Sequence, residues 1–203
     1  MWADNFVKYH FRGILLFSYY KKRKYHMLIL QEQLNGLLLL PICTDEVRSH
    51  WRDRLQDDRL TRDEYNKSHF SIYFLPYDII TKKVFIVHHK KSGLWIFPGG
   101  HIDKGEVLME TLNREIEEEL GVINKIKEEI QPFLLTITPI NNITQPCKEH
   151  LDIWYRIMTD GSEFNVDPKE FHETRWVSID EARKVITDPP NIEALNRMEQ
   201  LFS

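Results

Sequence analysis

Cysteine is scarce in this chain. Its 203 residues hold two, Cys43 and Cys147, and no CxxC pair. That excludes a disulfide framework and predicts a reducing, cytoplasmic compartment. Both cysteines read as small buried hydrophobes. Long apolar runs are also missing. Residues 13–20 form the nearest candidate and are far too few to span a bilayer, so no transmembrane segment is expected. They make a poor signal peptide, because the main basic cluster follows them and no small-residue cleavage site does. No internal repeat and no low-complexity segment is present, which excludes solenoids and arrays. Nor is there an excess of positive charge: the formal net charge is −4. Residues 1–26 set six basic side chains against Asp4, a net of +5, so the remainder carries −9. An acidic body of that kind argues against a general nucleic-acid surface, and no nucleic-acid partner is expected.

What is present suits a globular domain with a sizeable core: 42% hydrophobic and 29% charged residues. Three stretches differ in character. Residues 1–26 are basic and aromatic. They read as a poorly ordered tail, as a membrane or RNA contact through Lys21–Lys24, or as sequence preceding a start at Met27. Residues 27–67 read as a helical segment that packs on the following domain. Leu28, Ile29, Leu30, Leu34, Leu37 and Leu38 form an amphipathic pattern, and Pro41 ends it. Thr44 caps a second helix with Val47, Trp51 and Leu55 on one face. Residues 68–203 read as the main domain. Strands are predicted over 68–78, 83–89, 95–97, 133–140, 151–158 and 173–178. Ser178 caps a short helix, and Asn191 is expected to cap the last one.

One stretch organises the chain: Gly100 to Val122, GHIDKGEVLMETLNREIEEELGV. Leu108, Leu112, Ile116 and Leu120 lie four apart and predict an apolar helix stripe. Glu115, Glu118 and Glu119 share another face, and Glu117 is rotated away from them. Like charges so spaced repel, and a hard divalent cation taking oxygen ligands relieves them. The plainer reading is a solvated acidic face. Spacing decides between the two. Gly100, five residues, Glu106, seven residues, Arg114-Glu115, Ile116, one residue, Glu118-Glu119, one residue, Gly121-Val122 resembles the complete signature of the Nudix hydrolases, with no position missing.

The resemblance covers about residues 67–182. It implies an α/β fold: a Nudix-type α/β/α sandwich with a mixed sheet, here preceded by the helical extension. It implies hydrolysis of a diphosphate bond in a nucleoside diphosphate linked to another moiety, with Mg²⁺ or Mn²⁺ as cofactor. By similarity, Glu118 and Glu119 are the main metal ligands, and Glu115 is a further ligand or the catalytic base. The backbone at Gly99 and Gly100 completes the site. Arg114 supports Glu115, and Glu106 braces the loop. A later acidic residue often joins such sites. Glu149, Asp152, Glu163 and Glu170 are the candidates, with Glu149 favoured as additional base because it ends a long loop. The expected partner is a small nucleoside diphosphate derivative, and a homodimer is compatible with the family. None of the family's substrate tags is found. The alternative is a non-catalytic Nudix-fold sensor of a nucleotide metabolite. His88, His89, His101 and His150 match no zinc-motif spacing, which argues against zinc. His101, following the glycines, could touch a substrate phosphate. Phe70, Trp95 and Phe97 read as core rather than as stacking platforms.

Overall fold

The computed structural model describes residues 27–123, 126–140 and 146–202. The expectations for residues 1–26, and for most of the loop before Glu149, lie outside the described residues.

Helix α1 runs through 27–37 and α2 through Asp45–Arg54. Thr44 caps α2, its side chain accepting from the Val47 N–H. The strands follow: β1 (Ser68–Asp78), β2 (Lys83–His89), β3 (Trp95–Ile96) and β4 (Gly99–His101). Helix α3 (Leu108–Leu120) precedes β5 (Leu134–Pro139), β6 (Glu149–Met158) and β7 (Phe171–Ser178). Helices α4 (Ile179–Val185) and α5 (Pro189–Phe202) close the chain.

Among the described residues seven strands form one mixed sheet. Its path is β3-β2-β1-β6-β5, with β4 added to β1 and β7 to β2. Only β1 and β6 run parallel; the other pairs are antiparallel. Both faces are covered, which is why the strands carry near-continuous hydrophobic runs. Phe85 and Val87 of β2 join one core with α1, α2 and α3, while Val84 and Ile86 join a second with α4 and α5. In β6, Leu151, Ile153 and Tyr155 face the first core and Trp154 the second. The architecture is therefore the expected α/β/α sandwich. Among the described residues no helix is long and apolar enough to cross a membrane.

Two expectations change. Strand β4 is absent from the predicted strands, yet its backbone pairs with β1 even though two glycines give no side-chain signal. Asn191 does not cap the last helix. That helix starts at Pro189, and the Asp188 carboxylate accepts from the Asn191 N–H instead. Asn191 points inward, where its side-chain oxygen accepts from the Phe97 N–H at 2.7 Å.

Candidate active site

Helix α3 is held at both ends. The Glu110 carboxylate accepts from the Val107 N–H at 3.1 Å, satisfying an orphan donor of the first turn. Gly121 ends the helix in the left-handed region, φ 67°, with its N–H on the Glu117 carbonyl. Leu108, Leu112, Ile116 and Leu120 are all buried in the first core. Seating that stripe fixes the helix rotation, and the rotation decides where each glutamate goes.

Glu115 and Glu119 are buried, at 7% exposure each. Glu118 stands at the edge with its side chain 59% exposed, and Glu117 faces solvent. The predicted common face is thus two enclosed carboxylates with a third at their edge. The glycine strand closes over them. Gly99 N–H donates to Glu119 Oε2 at 2.7 Å. A Cβ on Gly100 would overlap the Glu115 carboxylate, and one on Gly99 would strike the Ile72 carbonyl. Glycine is needed here because backbone must lie directly on carboxylate.

Arg114 ties the group together. Its Nε and Nη2 donate to Glu106 at 2.7 and 2.9 Å. Its Nη1 donates to Glu115 at 2.7 Å and to Glu118 at 2.9 Å. Nη2 also donates to the His101 carbonyl at 2.9 Å. Glu106 in turn accepts from the Asp103 N–H and the Thr111 hydroxyl. Burial works to lower the Arg114 pKa, but Glu106 and Glu115 outweigh it and the guanidinium stays charged. One guanidinium does not balance this much negative charge. Burial pushes Glu115 up to about 7 even with Arg114 opposing. Burial and the neighbouring Glu115 push Glu119 well above the usual carboxylate range, against the Gly99 N–H bond.

The later carboxylates separate clearly. Glu149 is committed elsewhere: it accepts from Ser68 at 2.6 Å and meets His50 of α2 at 2.9 Å. Asp152 is fully enclosed and accepts from the Ser71, Thr136 and Thr138 hydroxyls. Glu163 is exposed. Glu170 is exposed too, and its charge is among those that raise Glu119. The loop carrying it is anchored on α3, with the Asp167 N–H on the Glu119 carbonyl. Glu149, the residue favoured from its place after a long loop, faces Ser68 and His50. The 165–167 backbone docks on the end of α3, a contact that no spacing reveals, and Glu170 follows it in the chain. Phe70 and Phe97 are core residues. Trp95 is half-buried between the His88 ring and the Arg175 guanidinium.

The structure gathers three histidines that the sequence scatters. His69, His101 and His150 have ring centroids 4.8–4.9 Å apart, and Cys147 Sγ lies 4.0 Å from His69 Nε2. Burial first, then the neighbouring imidazole, lowers His150 to about 3, and burial lowers His69 to about 4. His101 is lowered as well, by burial and by both other rings.

A family model described as the NUDIX domain matches residues 67–197. An RNA pyrophosphohydrolase of Erythrobacter litoralis is 28% identical over 115 residues, 49% of this chain and 68% of that protein. An m7GpppN-mRNA hydrolase of Xenopus laevis is 25% identical over 122 residues, 53% of this chain. The match spans only 40% of the frog protein's length. In fold, the NUDIX domain of Shewanella oneidensis NrtR, solved with ADP ribose, superposes with a TM-score of 0.53 at 14% identity. That superposition covers 66% of this chain and 88% of that one. A NUDIX-family hydrolase from Clostridium perfringens gives 0.51 at 22% identity, covering 66% and 97%.

Proposed function

Since the chain belongs to the NUDIX domain family, we propose that it is a divalent-metal-dependent pyrophosphohydrolase of a nucleoside diphosphate joined to another group. The observation that carries this reading is the pair of buried carboxylates, Glu115 and Glu119, closed by glycine backbone and supplied with a single guanidinium.

The donor set suits a hard cation. All three side chains offer oxygen, as Mg²⁺ and Mn²⁺ require. Two of them are buried with raised pKa values, so the pocket lacks positive charge. Glu118 and Glu119 would hold the ion, with Glu115 and the backbone at Gly99 and Gly100 beside them. Bound there, the ion would neutralise the diphosphate oxygens and acidify a water molecule.

The chain's own groups do the rest. Arg114 orients Glu115 and Glu118 and leaves each with oxygens free for other partners. The Gly99 N–H fixes one Glu119 oxygen, which sets the direction of the other. Glu106 holds Arg114 in place from behind. Glu170 is the candidate proton acceptor for the attacking water, because it is exposed and acts electrostatically on Glu119. His89 Nε2 stands 3.9 Å from its carboxylate.

A substrate panel tests the proposal. It should include ADP-ribose, nucleotide sugars, dinucleoside polyphosphates, 8-oxo-dGTP and RNA with capped or triphosphate 5′ ends. The expected result is cleavage of at least one compound that depends on added Mg²⁺ or Mn²⁺. Tight binding without turnover of any would replace the enzyme with a sensor.

A further inference from the structure

Away from the glutamates, the chain assembles a different donor set. β1 and β6 run parallel with His69 opposite His150. β4 pairs with β1 so that His101 lies opposite Ser71, two residues along from His69. Cys147 comes in from the loop that enters β6. One donor atom from each of His69, Cys147 and His150 lies within 4.8 Å of the others. His101 joins through His150, Nε2 to Nε2 at 3.3 Å.

Hydrogen bonding does not account for this cluster. Arg62 Nη1 approaches His101 Nδ1 at 3.4 Å, which places the His101 proton on Nε2, facing His150 Nε2. His150 must then carry its own proton on Nδ1. Among the described residues that buried atom has no hydrogen-bond partner; His69 Nδ1 has none within hydrogen-bond geometry either, although the Tyr65 backbone lies close enough to act on the ring. Buried polar atoms left unpaired cost about 1–3 kcal/mol each, and an imidazole nitrogen without a hydrogen-bond partner is open to a metal. The Cys147 thiol, a weak donor, reaches the Glu149 carbonyl at 3.3 Å and lies beside His69 Nε2.

Zinc bonds of ~2.0–2.1 Å to nitrogen and ~2.3 Å to sulfur put neighbouring ligand nitrogens ~3.3 Å apart, and nitrogen and sulfur ~3.5 Å apart. The His101–His150 separation of 3.3 Å already matches, while the Cys147–His69 separation of 4.0 Å and the 4.8 Å span of the His69, Cys147 and His150 donors require side-chain rotation on binding. We propose that His69, His101, Cys147 and His150 form a four-ligand structural Zn²⁺ site, separate from the carboxylate site. All four ligands come from protein, so no position is left open for catalysis. Its effect is mechanical: it clamps the start of β1, the end of β4 and the entry to β6. Neutral imidazole is the form that binds metal. The proposal stands whether or not the chain hydrolyses anything.

The test uses the full chain, stripped with chelator and held in excess Mg²⁺ to occupy the oxygen donors. Zn²⁺ is then titrated in, and Co²⁺ is used in parallel as a spectroscopic probe. The expected result is one equivalent of Zn²⁺, a higher melting temperature and a thiolate-to-cobalt charge-transfer band. Cys147→Ser should abolish the band, and His150→Gln should weaken uptake at least about tenfold. No zinc uptake, or one equivalent unaffected by either substitution, would overturn the assignment. Should His150→Gln fail to fold, Cys147→Ser, nearly isosteric, decides through the band alone.

Discussion

Glu119 and Asp152 show two ways of keeping a carboxylate out of water. Asp152 is enclosed and surrounded by hydroxyls from Ser71, Thr136 and Thr138. Those bonds favour its charge, yet burial wins and raises it to about 6. The native state therefore holds a proton that the unfolded chain has released by that pH. Stability falls as pH rises from the ordinary carboxylate value, 3.8, to about 6, and the full cost stands above that. Asp152→Asn should remove this slope and be at least as stable as wild type at pH 8, by at most about 3 kcal/mol. Denaturant unfolding at pH 5 and pH 8 checks it; an unchanged slope would assign the pH dependence elsewhere. Glu119 has no such ring of hydroxyls. Its one described hydrogen bond is the Gly99 N–H, and its neighbours Glu115, Glu170 and Glu118 all push it further up. A residue left in that state is suited to a positive ligand rather than to stability.

Among the elements, α3 and β4 act as one device, and they differ in how far sequence discloses them. The stripe of α3, its rotation and its Gly121 cap follow from a period and a residue type, so they can be read directly. Strand β4 cannot, because Gly99 and Gly100 have no side chains to alternate. The late carboxylate and the histidine cluster are hidden for another reason. His69 and His150 meet only through the parallel register of β1 and β6, and the segment leading to Glu170 meets α3 only because the 165–167 backbone docks on it. Spacing along a chain carries no record of register between distant strands. Arg114 is where the device can be taken apart. It is half-buried and serves Glu106, Glu115, Glu118 and the His101 carbonyl at once. Arg114→Ala leaves buried carboxylates without a counter-charge and should cost about 3 kcal/mol of stability. Arg114→Lys keeps the charge but not the fork, and should recover only part of it. Thermal melts of both variants measure this; a lysine variant as stable as wild type would show that charge alone suffices.

At the scale of the whole molecule, residues 27–66 lie outside the family match yet belong to the same core. Leu30, Leu34, Val47, Trp51 and Leu55 pack with the α3 stripe. Gln33 of α1 accepts from the Leu108 N–H at 3.2 Å, adding a cap to the motif helix. Trp51 is fully buried and meets Phe70 edge-on at 5.1 Å. Trp51→Ala should cost about 3–5 kcal/mol, as for other buried aromatics, although it lies outside the matched segment. A surface-sized loss in denaturant unfolding would mean the extension is an independent appendage. The central claim is that the glutamates of α3 hold a divalent ion for hydrolysis. Glu118 is exposed at the edge of the carboxylate group, so Glu118→Gln can remove a ligand while leaving the core alone. The direct measurement compares wild type and Glu118→Gln for Mg²⁺-dependent cleavage of the best panel substrate, with melting curves alongside. The expected outcome is an unchanged melt and turnover reduced by at least about 100-fold. A folded variant with near-native turnover would contradict the claim.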